Sequence, residues 1–351
     1  MFRLLCYLAL TNAFTLNTKQ IITVGPSCSS YEMLNKLHDC GVNIFRINMS
    51  HSKKHEDTQK IIDDIQYINK NSEHTSEIMI DLQGPKFRIG EIKEESCLLK
   101  PGSKFTLDYN NQQGDSNRVN LPHNELFYCL AKKDRILIDD GLIELEVEDI
   151  KNSEIVTRVL KGGSLKGNKG VNLPNVNINW NVHTEKDTND IQLINQNKID
   201  FVAKSFVQSH KEIIDLWRKI KYPTKIISKI ECNSAINDLK NIVEFSHGIM
   251  IARGDLGVEV GYEKVPIIQK RAIKTAQYYN AEVFVATQMM ESMIYNSIPT
   301  RAEASDVANA VIDGATGVML SGETSVGKYP IECVKAQRKI LKEAEDFYYN
   351  F

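Results

Sequence analysis

Eight apolar, β-branched runs, each followed by a stretch with helical spacing, predict an α/β protein built as a (β/α)8 TIM barrel. Two further observations support that reading. Charged residues cluster at the downstream ends of runs that otherwise read as buried strands, as in KIISKIE at Lys225–Glu231 and in GIMIA followed by RGDLG at 248–257. Cores avoid charges unless a partner or ligand meets them, and α/β proteins place such groups at the carboxyl ends of parallel strands. The alternating rhythm also breaks between about Lys86 and Val171, where Asp-Asp-Gly and Gly-Gly turns separate short runs such as RILID, IELEVE and IVTRVL. That segment predicts a small β-barrel lid inserted after the third strand.

In chain order the expected strands are Gln20–Val24, Val42–Ile47, Ile78–Leu82, Phe201–Ser205, Lys225–Lys229, Gly248–Ala252, Glu282–Ala286 and Gly317–Ser321. Helical periodicity marks Glu32–Leu37, Glu185–Gln196, Glu263–Tyr279, Arg301–Ile312 and Pro330–Glu345, with Ser30, Thr184 and Thr300 placed to cap three of them. The organisation expected is a leader over residues 1–18, barrel over 19–85, lid over 86–172 and barrel again over 173–351. Gly84-Pro85 and the stretch from Gly170 to Pro174 are the candidate hinges.

Of the 351 residues 42% are hydrophobic and 25% charged, enough to bury a large core. The net charge of −2 offers no polybasic footprint, which argues against nucleic acid as a partner. The seven cysteines (Cys6, Cys28, Cys40, Cys97, Cys129, Cys232 and Cys333) form no CxxC pair and read as reduced thiols. Met1-Phe2-Arg3, then LLCYLAL, reads either as a signal peptide cleavable after Ala13 or as an apolar helix packed under the barrel. No other stretch reaches the ~18 consecutive apolar residues of a membrane span.

The expected strand ends hold a chemistry-bearing set. The second strand supplies Arg46, Asn48, Ser50 and His51; the third, Asp81, Lys86 and Arg88; the fourth, Lys204 and Ser205. The fifth and sixth supply Lys229, Glu231, Arg253 and Asp255; the seventh and eighth, Thr287, Gln288, Ser321 and Glu323. Glu231 and Asp255, with no His or Cys beside them, suit Mg2+ or Mn2+, the alternative being buried salt bridges to Lys229 or Arg253. Arg46, Arg88, Lys229 and Arg253 would surround such a metal with positive charge, the equipment of phosphoryl transfer. Neither a G-x-x-x-x-G-K-[ST] loop nor a G-x-G-x-x-G fingerprint is present.

These residues resemble the pyruvate kinase family over about Lys19 to Glu345. The resemblance rests on IFRINMSH (44–51), IDLQGPKFRIG (80–90), KGVNLP (169–174), SFV (205–207), KIISKIE (225–231), ARGDLG (252–257), ATQMMESM (286–293) and PTRAEASDVANAV with VMLSGET (299–324). It implies phosphoryl transfer from phosphoenolpyruvate to ADP, giving pyruvate and ATP. By motif matching it implies Lys229 and Arg46 at the phosphoryl group, and Glu231 and Asp255 as ligands of Mg2+ or Mn2+. The amides at Gly254 and Asp255 would hold the substrate carboxylate. Thr287 would sit near the enolate methylene, with a proton path through Ser321 and Glu323. Asn48, His51, Arg88 and Lys169 match nucleotide contacts, and Asn48, Ser50, Asp81, Leu82 and Lys86 the monovalent-cation region.

Departures from the family pattern carry their own expectations. Lys86 stands where many members have Glu, and with Leu82, Gln83 and Ile89 it matches members that do not require K+. Ser52 and Cys232 replace a usual Gly and Asn, and Lys204 a usually small residue. The family continues past the barrel, whereas the sequence stops at Phe351. The resemblance therefore implies a monomer or homodimer without a sugar-bisphosphate effector site, active as a kinase or, alternatively, a catalytically weak regulatory or binding subunit. For location, Ala13-Phe14 is similar to plastid-targeting cleavage sites, while free thiols and a need for ADP suit cytoplasm or plastid stroma; the mature form needs no membrane.

Overall fold

A computed structural model describes residues 16–52, 54–151, 153–174, 176, 184–221 and 223–350, so the leader reading falls almost wholly outside the described residues. Eight parallel strands close on themselves: Lys19–Val24, Ile44–Asn48, Glu77–Asp81, Phe201–Lys204, Lys225–Ile230, Gly248–Ala252, Glu282–Ala286 and Gly317–Leu320. Closure is made where Lys19–Val24 pairs with Gly317–Leu320 on one side and with Ile44–Asn48 on the other. Among the described residues, no helix is long and apolar enough to cross a membrane.

Successive strand side chains point to opposite faces, so each barrel strand divides by parity. Ile21, Ile44, Met79, Phe201, Ala203, Ile227, Met250, Phe284, Ala286 and Met319 form one buried cluster filling the barrel, with Phe201 edge-on to Phe284 at 6.0 Å. The intervening residues Ile22, Phe45, Ile80, Val202, Ile226, Ile249, Val283 and Val318 belong to a second cluster beneath the surrounding helices. A run apolar on both faces suits a parallel strand covered by helices.

The helices start where local chemistry tells them to. Ser30 accepts from the amide of Met33. Thr184 with Asp187 and Thr300 with Glu303 form reciprocal capping boxes. Each cap satisfies amides that would otherwise lack partners, worth about 1 kcal/mol. Strand and helix ends shift by a few residues elsewhere, and the segment after the sixth strand departs most from expectation. A separate helix, Arg253–Val260, follows the sixth strand directly, ending at Gly261 with φ +94°. The helix beyond it begins at Val265, with Pro266 in its first turn, where a missing amide hydrogen costs nothing.

The inserted segment sits between the third and fourth barrel strands. It forms a seven-stranded sheet in the order Phe87–Arg88, Gly170–Asn172, Arg135–Ile138, Ile143–Lys151, Glu154–Lys161, Lys104–Asp108 and Arg118–Asn120. Its own core includes Phe87, Phe105, Leu107, Val119, Ile136, Leu145 and Ile155. Gly84, at φ +65°, makes the turn into it; a Cβ there would meet the backbone and side chain of Ser205 at 3.0 Å.

At the amino ends of the strands His38 is buried, stacked on His74 at 3.8 Å and hydrogen-bonded to Ser76 and Ser72. Burial, with the neighbouring His74, lowers its pKa from 6.5. An unfolded chain then takes up a proton that the folded one resists, so stability falls as pH drops below about 6.5. In His38→Gln the loss of melting temperature between pH 7 and pH 5 should be smaller than in the wild type; equal slopes by calorimetry would rule out this contribution.

Candidate active site

The same parity that fills the barrel with apolar side chains sets a polar layer above them. Thr23 follows Ile21 by two residues, Arg46 follows Ile44, Asp81 follows Met79, and Lys229 then Glu231 follow Ile227. Asp81 is the hub. Arg46 donates to its Oδ2 from Nε at 2.8 Å and lies 2.7 Å away through a terminal nitrogen. The Lys229 ammonium is 3.3 Å from its Oδ1, and Ser205 donates to that same oxygen at 3.2 Å. Burial alone would push the Asp81 carboxyl up, but Lys229 and Arg46 outweigh it and hold the group below its usual range.

Lys229 is equally enclosed. It donates to Ser205 Oγ at 2.8 Å and lies 2.9 Å from Glu231 Oε1. Burial works against its charge, yet Asp81 and Glu231 more than compensate and its pKa is raised. The ammonium stays charged at any physiological pH. Glu231 has the opposite balance: burial raises its pKa, with Lys229 offsetting only part of the cost. Its Oε2 accepts from the Phe206 amide at 2.7 Å. Its Oε1, though close to Lys229, makes no aligned hydrogen bond. A buried carboxylate oxygen without a proper donor suits a divalent cation.

Asp255 supplies the second carboxylate, from the first turn of Arg253–Val260. Among the described residues no group of three or more His, Cys, Asp or Glu side chains is clustered for metal binding. Two carboxylates completed by water and substrate oxygens fit Mg2+ or Mn2+ and not an all-protein cage. Asp255 is met by Lys86, whose Nζ lies 3.1 Å from Oδ1.

The seventh and eighth strand ends close the mouth. Thr287 and Gln288 both have positive φ, +71° and +53°. For non-glycine residues this is a strained conformation that surrounding structure must impose. Arg253 imposes it, donating to Thr287 O at 2.7 and 3.1 Å and to Gln288 O at 2.9 Å, with Asp306 on its other side at 2.7 Å. The Thr287 hydroxyl accepts from the Gly254 amide at 2.8 Å, so that amide is engaged in this structure. Ser321 Oγ is buried with no hydrogen-bond partner among the described residues. Glu323 spends both oxygens on backbone amides, of Met290 and of Ser321, and so positions these two loops.

On the inserted sheet, Gly170 pairs with Arg88 across neighbouring strands. Lys169 lies beside Arg88 in this antiparallel pair, its Nζ 2.8 Å from Asp139, while Arg88 donates to Asn168 O at 3.0 Å. His51 on the barrel side is exposed, its pKa lowered by partial desolvation and then by Arg46, Arg88 and Lys86. Asn48 Oδ1 accepts from the Ser50 amide at 3.1 Å, and Leu82 O accepts from Ser205 Oγ at 2.8 Å.

Two strand-end readings are corrected. Lys204 lies one residue off the inward parity of Ala203 and Ser205; it faces the helix layer, buried, 3.3 Å from Glu212 of the helix His210–Lys219. Arg253, expected to surround the metal with charge, turns instead to Asp306 and the Thr287–Gln288 carbonyls. Two groups escaped sequence reasoning. Thr23 accepts from Arg46 at 2.9 Å, and period-two counting from Ile21 would have found it. The Phe206 amide, which reaches Glu231, left no sequence signal.

Buried cations, a pair of carboxylates apt for Mg2+ and a covering β unit over the carboxyl face of a (β/α)8 barrel define an enzyme of the phosphotransferase class. The family profile for the pyruvate kinase barrel domain matches residues 15–334. The chain is 42% identical to a pyruvate kinase of Thermotoga maritima, covering 94% of this chain and 71% of the relative. It is 39% identical to one of Clostridium perfringens, covering 95% and 72%. The solved structure of a pyruvate kinase from Cryptosporidium parvum superposes with a TM-score of 0.89 at 35% identity, covering 94% of this chain and 69% of that one. The chain belongs to the pyruvate kinase family.

Because Asp81 bridges Arg46 and Lys229, removing its charge should be costly to the fold. Asp81→Asn is expected to lower the unfolding free energy by about 3–5 kcal/mol in denaturant titration, the range for breaking a buried ion pair. A change below about 1 kcal/mol would show that the network does not hold these strand ends together.

Proposed function

We propose that this chain transfers the phosphoryl group of phosphoenolpyruvate to ADP, with the roles distributed over the mouth described above. The observation that carries the reading is Lys229, a buried ammonium raised in pKa and held by Asp81, Glu231 and Ser205 at the rim of the barrel. Arg46, Lys229 and Lys86 face Asp81, Glu231 and Asp255, so the resting mouth is close to neutral. A divalent metal held by Glu231 and Asp255 would add the two positive charges that a phosphoryl and carboxylate substrate calls for and would act as a Lewis acid toward substrate oxygens.

Lys229 and Arg46 then bear on the migrating phosphoryl, whose transition state demands charge neutralisation and alignment. The substrate carboxylate takes the amides at the start of Arg253–Val260, the Gly254 amide being released from Thr287 as it does so. Transfer leaves the enolate of pyruvate, which must gain one proton on its methylene carbon. The Thr287 hydroxyl, held in place by the Arg253 clamp, and the unpartnered Ser321 hydroxyl are the groups assigned to that delivery. ADP lies against Asn48, His51, Arg88 and Lys169, the last two brought by the inserted sheet.

Lys229→Met should abolish phosphoryl transfer in the folded protein, at some cost in stability since Asp81 and Glu231 lose this cation. Its charge is needed mainly in the transition state, so kcat should fall by orders of magnitude while KM changes little. Wild-type turnover in a coupled assay of pyruvate formation would remove Lys229 from this role.

We further propose that K+ is not required. Lys86 places a tethered ammonium at the mouth where many relatives have a carboxylate, shifting the local charge by two units toward an anionic substrate. Activity in tetramethylammonium chloride should match that in KCl at equal ionic strength, and Lys86→Glu should make turnover K+-dependent. Loss of most wild-type turnover on withdrawing K+ would refute the internal-cation reading.

A further inference from the structure

Lys86 stands at the root of the inserted unit, and its contacts reach across to the barrel. Its amide donates to Gly84 O at 3.0 Å in the turn that leaves the barrel. Its stem runs under the returning strand, where a Cβ at Gly170 would stand 3.1 Å from Lys86 Cε. The ammonium lies over the Phe206 ring at 5.9 Å and 3.1 Å from Asp255 Oδ1. One helical turn beyond Asp255, Glu259 accepts from Asn172 Nδ2 at 3.3 Å. Thus both strands that tether the inserted unit, the outgoing one through Lys86 and the returning one through Asn172, are pinned to the same face of the helix Arg253–Val260. Between unit and barrel lies an open cleft of about 860 Å³, walled by Leu137, Gly141 and Leu142 on one side and by Gly257, Val258 and Tyr262 on the other.

Asp255 therefore has two claimants. The Asp255 Oδ1 that accepts the Lys86 hydrogen bond cannot at once face a divalent cation, and a metal seated there repels the ammonium. We propose that Lys86 is a latch in competition with the divalent metal for Asp255. Without metal, the Lys86 ammonium ties the root of the inserted unit to the barrel; metal on Glu231 and Asp255 releases it, leaving the unit free to swing and Lys86 free to meet the substrate's anionic groups. This inference rests on the assignment of Asp255 to the metal.

Such a device obeys reciprocity: whatever metal binding does to the position of the inserted unit, the latch does to metal affinity. Lys86 and Asp255 are partly exposed, with side chains 23% and 26% accessible, so the latch should be modest. A pair in that setting shifts an equilibrium by about two- to fivefold. It is strong enough to bias the cleft and weak enough for a divalent ion to override.

The test measures metal affinity and geometry, both without substrate. Mn2+ binding, followed by loss of the free-ion electron paramagnetic resonance signal, should be about two- to fivefold tighter in Lys86→Met than in the wild type and much weaker in Asp255→Asn. Removing any nearby positive charge would also favour Mn2+, so the second readout decides. Spin labels are introduced on click-reactive residues replacing Tyr128 of the inserted unit and Tyr278 of the barrel, which are 80% and 84% exposed. Mg2+ should shift the wild-type distance distribution. Lys86→Met should show the shifted distribution before Mg2+ is added and respond no further. The latch is overturned if Mg2+ leaves the wild-type distribution unmoved, or if Lys86→Met binds Mn2+ no tighter. When Asp255→Asn weakens Mn2+ binding but Lys86→Met does not tighten it, the metal assignment stands and the latch alone fails. When Asp255→Asn binds Mn2+ as the wild type does, both fall together.

Discussion

One buried carboxylate organises the mouth of this barrel. Asp81 lies at the end of the third strand, almost wholly removed from water, and is tolerable there only because Arg46 comes from the second strand and Lys229 from the fifth. Charge burial on this scale is not a route to stability, since desolvation consumes most of the Coulombic gain. Its effect is geometric. With Arg46 tied also to Thr23, and Lys229 to Ser205 and Glu231, side chains from the first five strands are cross-linked around the barrel opening. The cationic groups are thereby fixed in place before any ligand arrives, so their binding need not reorganise them.

The rest of the site is shaped by side chains that act through the backbone. Arg253 holds two consecutive residues in a left-handed conformation and so aims the Thr287 hydroxyl. Glu323 uses its carboxylate beneath the seventh and eighth strand ends, fastening Met290 and Ser321 through their amides. Strain at Thr287 and Gln288 is sustained because Arg253 and Asp306 over-determine it. On this side the mouth is tied by buried and part-buried hydrogen bonds to the backbone, whereas the inserted unit meets the barrel through polar contacts that are partly exposed.

The barrel was legible in the sequence because its logic is local. Eight apolar runs with period-two parity, helices announced by Ser30, Thr184 and Thr300, and charges at strand ends are all one-dimensional features, as was the break in rhythm that marks the insertion. The resemblance to pyruvate kinases was equally linear, since its motifs are the strand ends themselves. Lys204 shows the limit. It is as charged as Lys229 and as close to a strand end, but one residue's difference in parity turns it to the helix layer and to Glu212. Counting from Ala203 into the barrel would have separated the two lysines. The fate of Arg253 could not be counted, because the sixth strand passes straight into a helix and the guanidinium follows that turn.

By itself, then, the sequence determined the strand alternation, the helix starts, the family and the identity of the groups at the mouth, because each depends on residues near one another along the chain. The tertiary structure alone decided which charge meets which. That Lys86 spans to Asp255 across 169 positions, that Asp81 holds Lys229 from two strands away, and that Phe206 offers its amide to Glu231 depend on barrel closure and on how the inserted unit rests on it. Electrostatic partnership falls off with distance in space and not in sequence, so no linear pattern encodes it.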